Sequence, residues 1–453
     1  MFLAFPRRRD GYDRGKGMVK CACCSAEGRW GTSEDVTKGH ADHDADSPPT
    51  VFHGTNPVTV LFEDHVDDLQ MRGLKSLGPA LTGALLACGG RTSLDARASA
   101  GAEPAGSYSP TIDSVIAVAV SPENVCALRI DGSIWCWGDN IAWELGVPSP
   151  PHDTGPGDFQ CTPVQVENVT NAIAVTKGGD SGCAALSSGS VECWGANDYG
   201  QLGVAPSVRM DGGATFIGGV YDAVEVSAAG GIACAGTEQH QWSCWGAQPL
   251  GGPPSPQPQV LPVPGAVQLS FGGAGTCALF SDGTVACLGF GNAQLAPVSG
   301  LGAATYVAVG NDHACAVTTD GHVVCWGSND SGQLGVSDGT ATGPVTVPGV
   351  EDAIEVCASG GPSYSCALLA SGQVMCWGNN YSGALGTQNL SVLDAVACNN
   401  GPKIPTNTCS APVMVPGIDN AIHIAGADDQ VCVVRADGTV TCWGEGVGKC
   451  GPP

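Results

Sequence analysis

The sequence predicts an all-β fold in which seven similar units close into a ring. Three observations carry that prediction. A cysteine pair ten positions apart recurs seven times, glycine reaches 67 of 453 residues, and no stretch sustains the 3.6-residue period of a helix. First cysteines fall at Cys126, Cys183, Cys234, Cys277, Cys315, Cys366 and Cys432, and second ones at Cys136, Cys193, Cys244, Cys287, Cys325, Cys376 and Cys442. Successive copies lie 38 to 66 residues apart, close to the period of propeller blades once loop insertions are allowed. Short strands joined by glycine turns must hide their edges, and circular repetition does so.

Each copy reads in one order. An alternating apolar run comes first, such as AIAVTKGG (Ala172 to Gly179) or YVAVGND (Tyr306 to Asp312), and predicts a strand. The cysteine pair follows, with glycine six positions after the first cysteine in six copies: Gly132, Gly189, Gly283, Gly321, Gly372 and Gly438. A three-residue hairpin loop wants a left-handed residue there. With Ile130, Asp131 and Gly132 as the loop, Arg129 faces Ser133 and Cys126 faces Cys136; a two-residue loop would set Cys126 against Trp137. Directly opposed Cα atoms, about 4.5–5.5 Å apart, suit a disulfide. The seven pairs are therefore predicted as cross-strand disulfides, one per hairpin. The exception to the glycine rule is His240, a residue type that tolerates positive φ. A metal-site reading of these cysteines lacks both Cys-x-x-Cys spacing and matching histidines.

Trp-Gly follows the second cysteine at Trp137, Trp194, Trp245, Trp326, Trp377 and Trp443, and only the fourth copy departs, with Leu288. Several copies continue as NDYGQLG (Asn197 to Gly203) or NDSGQLG (Asn329 to Gly335), then through a Pro-Val-x-Val strand such as Pro163 to Val166. The string C-A-L-x-x-D-G-x-V-x-C-W-G-x-N-x-x-G-Q-L-G resembles the repeat of the regulator of chromosome condensation family, with cysteines added on both hairpin strands, over about residues 109–453. The resemblance implies a seven-bladed β-propeller with four antiparallel strands per blade. The seventh copy stops one strand short at Pro453, so the N-terminal segment, at Pro110 to Val115, is expected to close the last blade.

Composition bears on compartment and partners. Only 13% of residues are charged, and 43 acidic against 18 basic residues leave a net charge of −25, which repels a phosphate backbone and argues against nucleic acid. Twenty-three cysteines, fourteen of them paired as above, call for an oxidising environment. Residues 71–88 resemble a bacterial lipoprotein signal peptide: Arg72 and Lys75, a short apolar run, then Leu85-Leu86-Ala87-Cys88. Cys88 is the expected lipidation site, residues 89–108 a flexible Gly/Ala/Ser-rich linker, and Met71 the expected true start. Residues 1–70 read as an over-extended gene model, with zinc binding by Cys21, Cys23, Cys24, His40 and His43 as the alternative. No other stretch is long and apolar enough to span a membrane. An outer-membrane, surface, periplasmic or extracellular location follows, with membrane contact only through a lipid anchor.

Within residues 109–453, five cysteines stand outside the pattern. Cys398 and Cys409 are expected to staple the longest insertion, Thr387 to Ala411; Cys161 and Cys450 to bridge the first and seventh blades; Cys357 lacks a partner and reads as a buried inert thiol, with a reactive thiol as the alternative.

Catalytic motifs are scarce: there is no Gly-x-Ser-x-Gly, His-Glu-x-x-His, P-loop or dinucleotide fingerprint. Ser281 to Thr284 is similar to part of the Asp-box of sialidase propellers, but the chain lacks a matching arginine cluster. The turn residues Asp131, Asp282, Asp320 and Asp437 could bind calcium, though acidic turns are commonly just solvated. The reading that results is a monomeric, non-enzymatic propeller with no cofactor, binding an envelope or extracellular protein or glycan through the insertions Gly146 to Pro163, Gly203 to Gly219 and Thr387 to Ala411. Secreted propellers that inhibit β-lactamases are a similar precedent. Trp143, Tyr199 and Tyr381 are the candidate contact residues, because amphipathic rings dominate interface energetics; packing on neighbouring blades is their structural alternative. A propeller-based hydrolase or lyase is the competing class. Guanine-nucleotide exchange, the activity the family resemblance implies, does not suit an exported acidic chain.

Overall fold

In a computed structural model of the chain, the described residues are 103–104, 106–148, 159–206, 212–337, 343–361, 363–386 and 408–445. They form seven antiparallel sheets, six of four strands and one of three, with strands in chain order in every sheet. Blade 1 comprises β1 (Val115–Val120), β2 (Asn124–Arg129), β3 (Ile134–Gly138) and β4 (Gln160–Gln165). Blades 2 to 7 open on the inner strands Ala172–Lys177, Ala223–Ala229, Ala266–Gly272, Ala304–Val309, Ala353–Ala358 and Ala421–Ala427. Each inner strand touches those of both neighbouring blades, and the seventh touches β1. The seven-bladed propeller is thus closed.

The hairpin register is the expected one. Gly132 adopts φ 76° and donates its N–H to the Arg129 carbonyl at 2.9 Å, while Arg129 N–H bonds the Ser133 carbonyl at 3.0 Å. Counting inward from that hydrogen-bonded pair, Cys126 and Cys136 occupy a non-hydrogen-bonded position, where opposed Cα atoms approach most closely. All seven disulfides are formed, with Cα–Cα distances of 4.0–4.1 Å. His240 takes the left-handed position of the third hairpin at φ 58°.

The apolar cores lie between blades. Cys126, Leu128, Ile134 and Cys136 of blade 1 pack with Leu145, Val166 and, from blade 2, Ala184 and Trp194. The same indole also bolts the two blades together. Trp194 Nε1 donates to the Glu144 carbonyl at 3.0 Å, Trp245 to Gln201, Trp377 to Gln333 and Trp443 to Ala384, each at 2.8 Å. The acceptor in every case immediately precedes the Leu-Gly of the previous blade's loop, so Trp-Gly and Gln-Leu-Gly are two halves of one joint.

Blade 4 breaks the pattern and shows the same logic. Where Leu288 replaces tryptophan, Thr276, opposite it in register, donates its hydroxyl to the Pro249 carbonyl at 3.0 Å. Blade 4 also lacks the Gln-Leu-Gly loop, and the buried Trp326 Nε1 of blade 5 has no hydrogen-bond partner. Phe290 packs edge-on against that indole, with ring centroids 6.1 Å apart. Trp326→Phe is therefore expected to change stability by less than about 1 kcal/mol, while Trp443→Phe takes the indole donor from the Ala384 carbonyl and costs about 1–3 kcal/mol. Paired denaturation curves check this; equal losses would mean that the bolts contribute only packing.

Ring closure differs in detail from expectation. The last blade does recruit the N-terminal segment, but the pairing falls on Tyr108 rather than Pro110 to Val115: Tyr108 N–H bonds the Cys442 carbonyl at 2.8 Å and Cys442 N–H the Tyr108 carbonyl at 2.9 Å. Pro110 has no N–H to donate, and Ile112 N–H turns back onto the Pro110 carbonyl at 2.8 Å. Arg435 adds an ion pair to Glu103 at 2.7 Å, and the Tyr108 hydroxyl donates to the Cys161 carbonyl of blade 1. The propeller thus begins within the segment expected to be linker. Residues 1–102, with Cys88, and Cys398 and Cys450 lie outside the described residues.

Candidate functional site

Two regions gather side chains with chemistry. The first is the central channel, a cavity of about 890 Å³ lined by all seven inner strands. At one level its wall is set by the third residue of each inner strand. Blades 1 and 2 place Ala117 and Ala174 there; blades 3 to 7 place Glu225, Gln268, Tyr306, Glu355 and His423. Alternation in a strand puts these residues on one side and the apolar residues between them, such as Val118 and Val356, into the inter-blade cores.

Several of these side chains tie neighbouring blades together. The Gln268 amide donates to the Val307 carbonyl at 3.1 Å and accepts from Val307 N–H at 3.0 Å. Glu355 Oε2 accepts from Ile424 N–H at 2.9 Å and meets His423 Nδ1 at 3.0 Å, and His423 Nε2 reaches the Val118 carbonyl at 3.1 Å. One imidazole thus joins blades 6, 7 and 1. Both its partners are acceptors, so both ring nitrogens carry protons. Burial by itself would lower the His423 pKa, but the Glu355 charge and the hydrogen bonds to Glu355 and Val118 outweigh it and raise the pKa. The stability that this linkage supplies is fully present below the ordinary histidine pKa and is lost as pH rises through the raised one. His423→Gln is expected to cost on the order of 3 kcal/mol at pH 6, with the gap to wild type narrowing above that raised pKa. A gap independent of pH in urea titrations would refute the charged pairing.

Glu225 is different: it makes no hydrogen bond among the described residues, and burial pushes its carboxyl up to about 8. Cys357, one level further along the channel, is the free cysteine of the described residues; it is buried, sits opposite Cys366 in register, and burial pushes its thiol up to about 12. Such a thiol is inert at neutral pH. Cys161 and Cys409 are disulfide-bonded.

The second region is the face reached by the loops that join third to fourth strands. All three long insertions are loops of this kind and leave from this face, because strand direction alternates through each blade. Tyr381 and Ile141 are 66% and 64% exposed here, and Tyr199 is 42% exposed with its ring resting against Gly231 of the next blade. Trp143 is half-buried at φ 61°, in the left-handed position where other copies carry Gly200, Gly332 and Gly383. A bulky residue there is a conformational outlier. Of the three aromatic residues singled out in the sequence, Tyr381 is presented freely, Tyr199 is split between packing and exposure, and Trp143 is partly covered. Ile141 was missed; its place beside Asn140, equivalent to that of Tyr381 beside Asn380, was the available signal.

One constellation imitates a hydrolase. Asp312 Oδ1 lies 3.1 Å from His313 Nδ1, and His313 Nε2 lies 2.9 Å from Ser365 Oγ. Yet His313 and Ser365 are both fully buried, and Ser365 Oγ donates to the Gln333 carbonyl at 3.0 Å, the same oxygen that Trp377 uses. No substrate reaches that hydroxyl; the array bolts blade 5 to blade 6. The turn aspartates are likewise occupied. Asp131, Asp282 and Asp437 each accept from the backbone N–H two residues on, and Asp320 from the Thr318 hydroxyl, which holds all four carboxyls below the usual range. Ser281 to Thr284 is simply the hairpin turn of blade 4. Among the described residues no three metal-ligating side chains come together, and no helix is long and apolar enough to cross a membrane.

Seven disulfide-pinned blades, bolted by tryptophans and carrying their variation in loops on one face, define a repeat propeller. The regulator of chromosome condensation (RCC1) repeat matches this chain over residues 115–141, 304–333 and 356–384. The chain therefore carries RCC1 repeats on a seven-bladed β-propeller. Similar solved structures include human WBSCR16, with 17% identity over 74% of this chain and 89% of that one and a TM-score of 0.59. Another is Prp20p of Saccharomyces cerevisiae, studied for its binding to Gsp1p and histones, with 15% identity over 73% and 82% and a TM-score of 0.57. At these identities the likeness shows the fold.

Proposed function

We propose that this chain is an exported cell-envelope protein, anchored through Cys88, that binds a protein or glycan partner on its loop face and catalyses no reaction. The observation that carries the binding reading is the exposure of Ile141, Tyr199 and Tyr381 on the same face from which all three insertions depart. Large side chains held on rigid blades lose little entropy on docking and supply the area that dominates an interface. The seven disulfides support an oxidising compartment. The similarity to Prp20p extends to the fold alone, so exchange on a GTPase finds no support in it.

The test is photo-crosslinking from positions beside Tyr381 in intact cells, in wild type and in a Tyr199→Ala/Tyr381→Ala variant. One discrete adduct, reduced about tenfold or more in the variant, is the expected result. Adducts unaffected by the double substitution would reject this face as the contact surface, and a mature protein whose mass lacks lipid on Cys88 would reject the anchor.

A further inference from the structure

The central channel holds acceptors that the propeller does not use. Gln268 is spent on the Val307 backbone, and His423 on Glu355 and Val118. That leaves the Glu225 carboxyl, the Tyr306 hydroxyl and Glu355 Oε1, all at one level of the cavity wall and all without a hydrogen-bond partner among the described residues. Glu355 is itself 2% exposed, so its free oxygen has only the cavity to face. Tyr306 lies within electrostatic reach of both carboxylates, which add to burial in raising its pKa.

No basic side chain of the described residues answers them. Arg129 and Arg435 are paired with Asp113, Asp131 and Glu103 and do not line the cavity, and Lys177, which does, turns its Nζ to the Glu144 carbonyl at 3.0 Å. Of the two basic side chains that line the cavity, His423 is committed to Glu355 and Lys177 to the Glu144 carbonyl. Glu225 is left without a counter-charge of its own.

We propose that the channel binds an organic ammonium ion, with Glu225, Glu355 Oε1 and the Tyr306 oxygen as acceptors for its three N–H groups. An ammonium matches the acceptors in number and supplies the counter-charge that Glu225 lacks once it ionises. Ala117 and Ala174, on the blades that carry no polar side chain at this level, leave room for the attached carbon chain. Glu225, pushed up to about 8 by burial, carries a proton at pH 7 that the arriving cation displaces: an ammonium and a carboxylic acid go in, and an ion pair and a free proton come out.

Calorimetry with n-butylammonium on the whole protein at pH 7, in two buffers of different ionisation enthalpy, tests this. The expected result is one saturable site whose heat depends on the buffer through release of most of a proton. Tetramethylammonium, a cation without N–H groups, should bind about tenfold weaker or less, and Glu225→Gln should weaken n-butylammonium about tenfold and abolish the buffer dependence. Removing a strained buried acid should not lower the melting temperature of that variant, so lost binding is not lost folding. A parallel titration with Nα-acetyl-lysine amide separates a free amine from a partner's lysine as the source; binding of either supports the site. Absence of saturable binding, or binding unchanged in Glu225→Gln and removed by salt, would overturn the proposal and reduce the effect to attraction by the acidic surface.

Discussion

Gly195→Ala is expected to destabilise the propeller by about 3 kcal/mol or more, and Gly219→Ala by only about 1 kcal/mol. Both glycines sit at positive φ, 95° and 88°, so the conformational penalty is shared. What differs is space. A Cβ on Gly195 would lie 2.3 Å from the Asp180 carbonyl oxygen, whereas one on Gly219 meets nothing within 4 Å. The oxygen cannot retreat, because Ala196 N–H bonds it at 2.9 Å. This contact recurs after the second cysteine of each blade, which explains the glycine of Trp-Gly as a close approach between the third strand and the turn that joins the first two. Denaturant midpoints for the two variants decide the matter. Equal losses would assign the glycine to backbone conformation alone.

Removal of the chain through Ser109 is expected to cost about 2–4 kcal/mol and to loosen the seventh blade before any other. The truncation deletes both Tyr108–Cys442 hydrogen bonds, the Tyr108 hydroxyl contact to blade 1, and the Glu103 partner of Arg435. It leaves the strand Val440–Gly444 with an open edge at the seam of the ring. Hydrogen exchange gives the readout: the Cys442 amide, which donates to Tyr108, should lose protection while the amides facing the Cys315–Cys325 disulfide keep theirs. Uniform protection after truncation would show that the seam is held by the inner strands alone, through His423 and the Gln430 amide on the Ser121 carbonyl.

Much of this architecture was legible in the sequence because it depends on local geometry. A cysteine spacing of ten with glycine at the sixth position determines a hairpin register, and seven repetitions of that register determine the number of blades. The His240 exception was also readable, since one turn conformation is a property of three residues. The sixfold tryptophan pattern was visible too, but its purpose was not: the acceptor for Trp194 is 50 residues away in the preceding blade. Nothing in the spacing reveals that Thr276 takes over the donor role when tryptophan gives way to Leu288, because the two face each other only across paired strands.

The candidate site divides in the same way. Tyr199 and Tyr381 could be found as aromatics in loops, but whether a ring faces water or the next blade depends on atoms that the loop itself does not contain; Tyr199 rests on Gly231, whereas Tyr381 is largely exposed. Glu225, Tyr306, Glu355 and His423 were unremarkable polar interruptions in four apolar runs. Only circular closure sets them at one level around one cavity, where solvent is scarce and a carboxyl without a partner is pushed far from its ordinary pKa. The sequence by itself determined the fold class, the repeat number, the hairpin register and the disulfides, since each follows from contacts within about a dozen residues. The tertiary structure alone decided which strand edge closes the ring, which carbonyls the indoles hold and which charges meet in the channel, since those contacts join residues that the chain order keeps 40 to more than 300 positions apart.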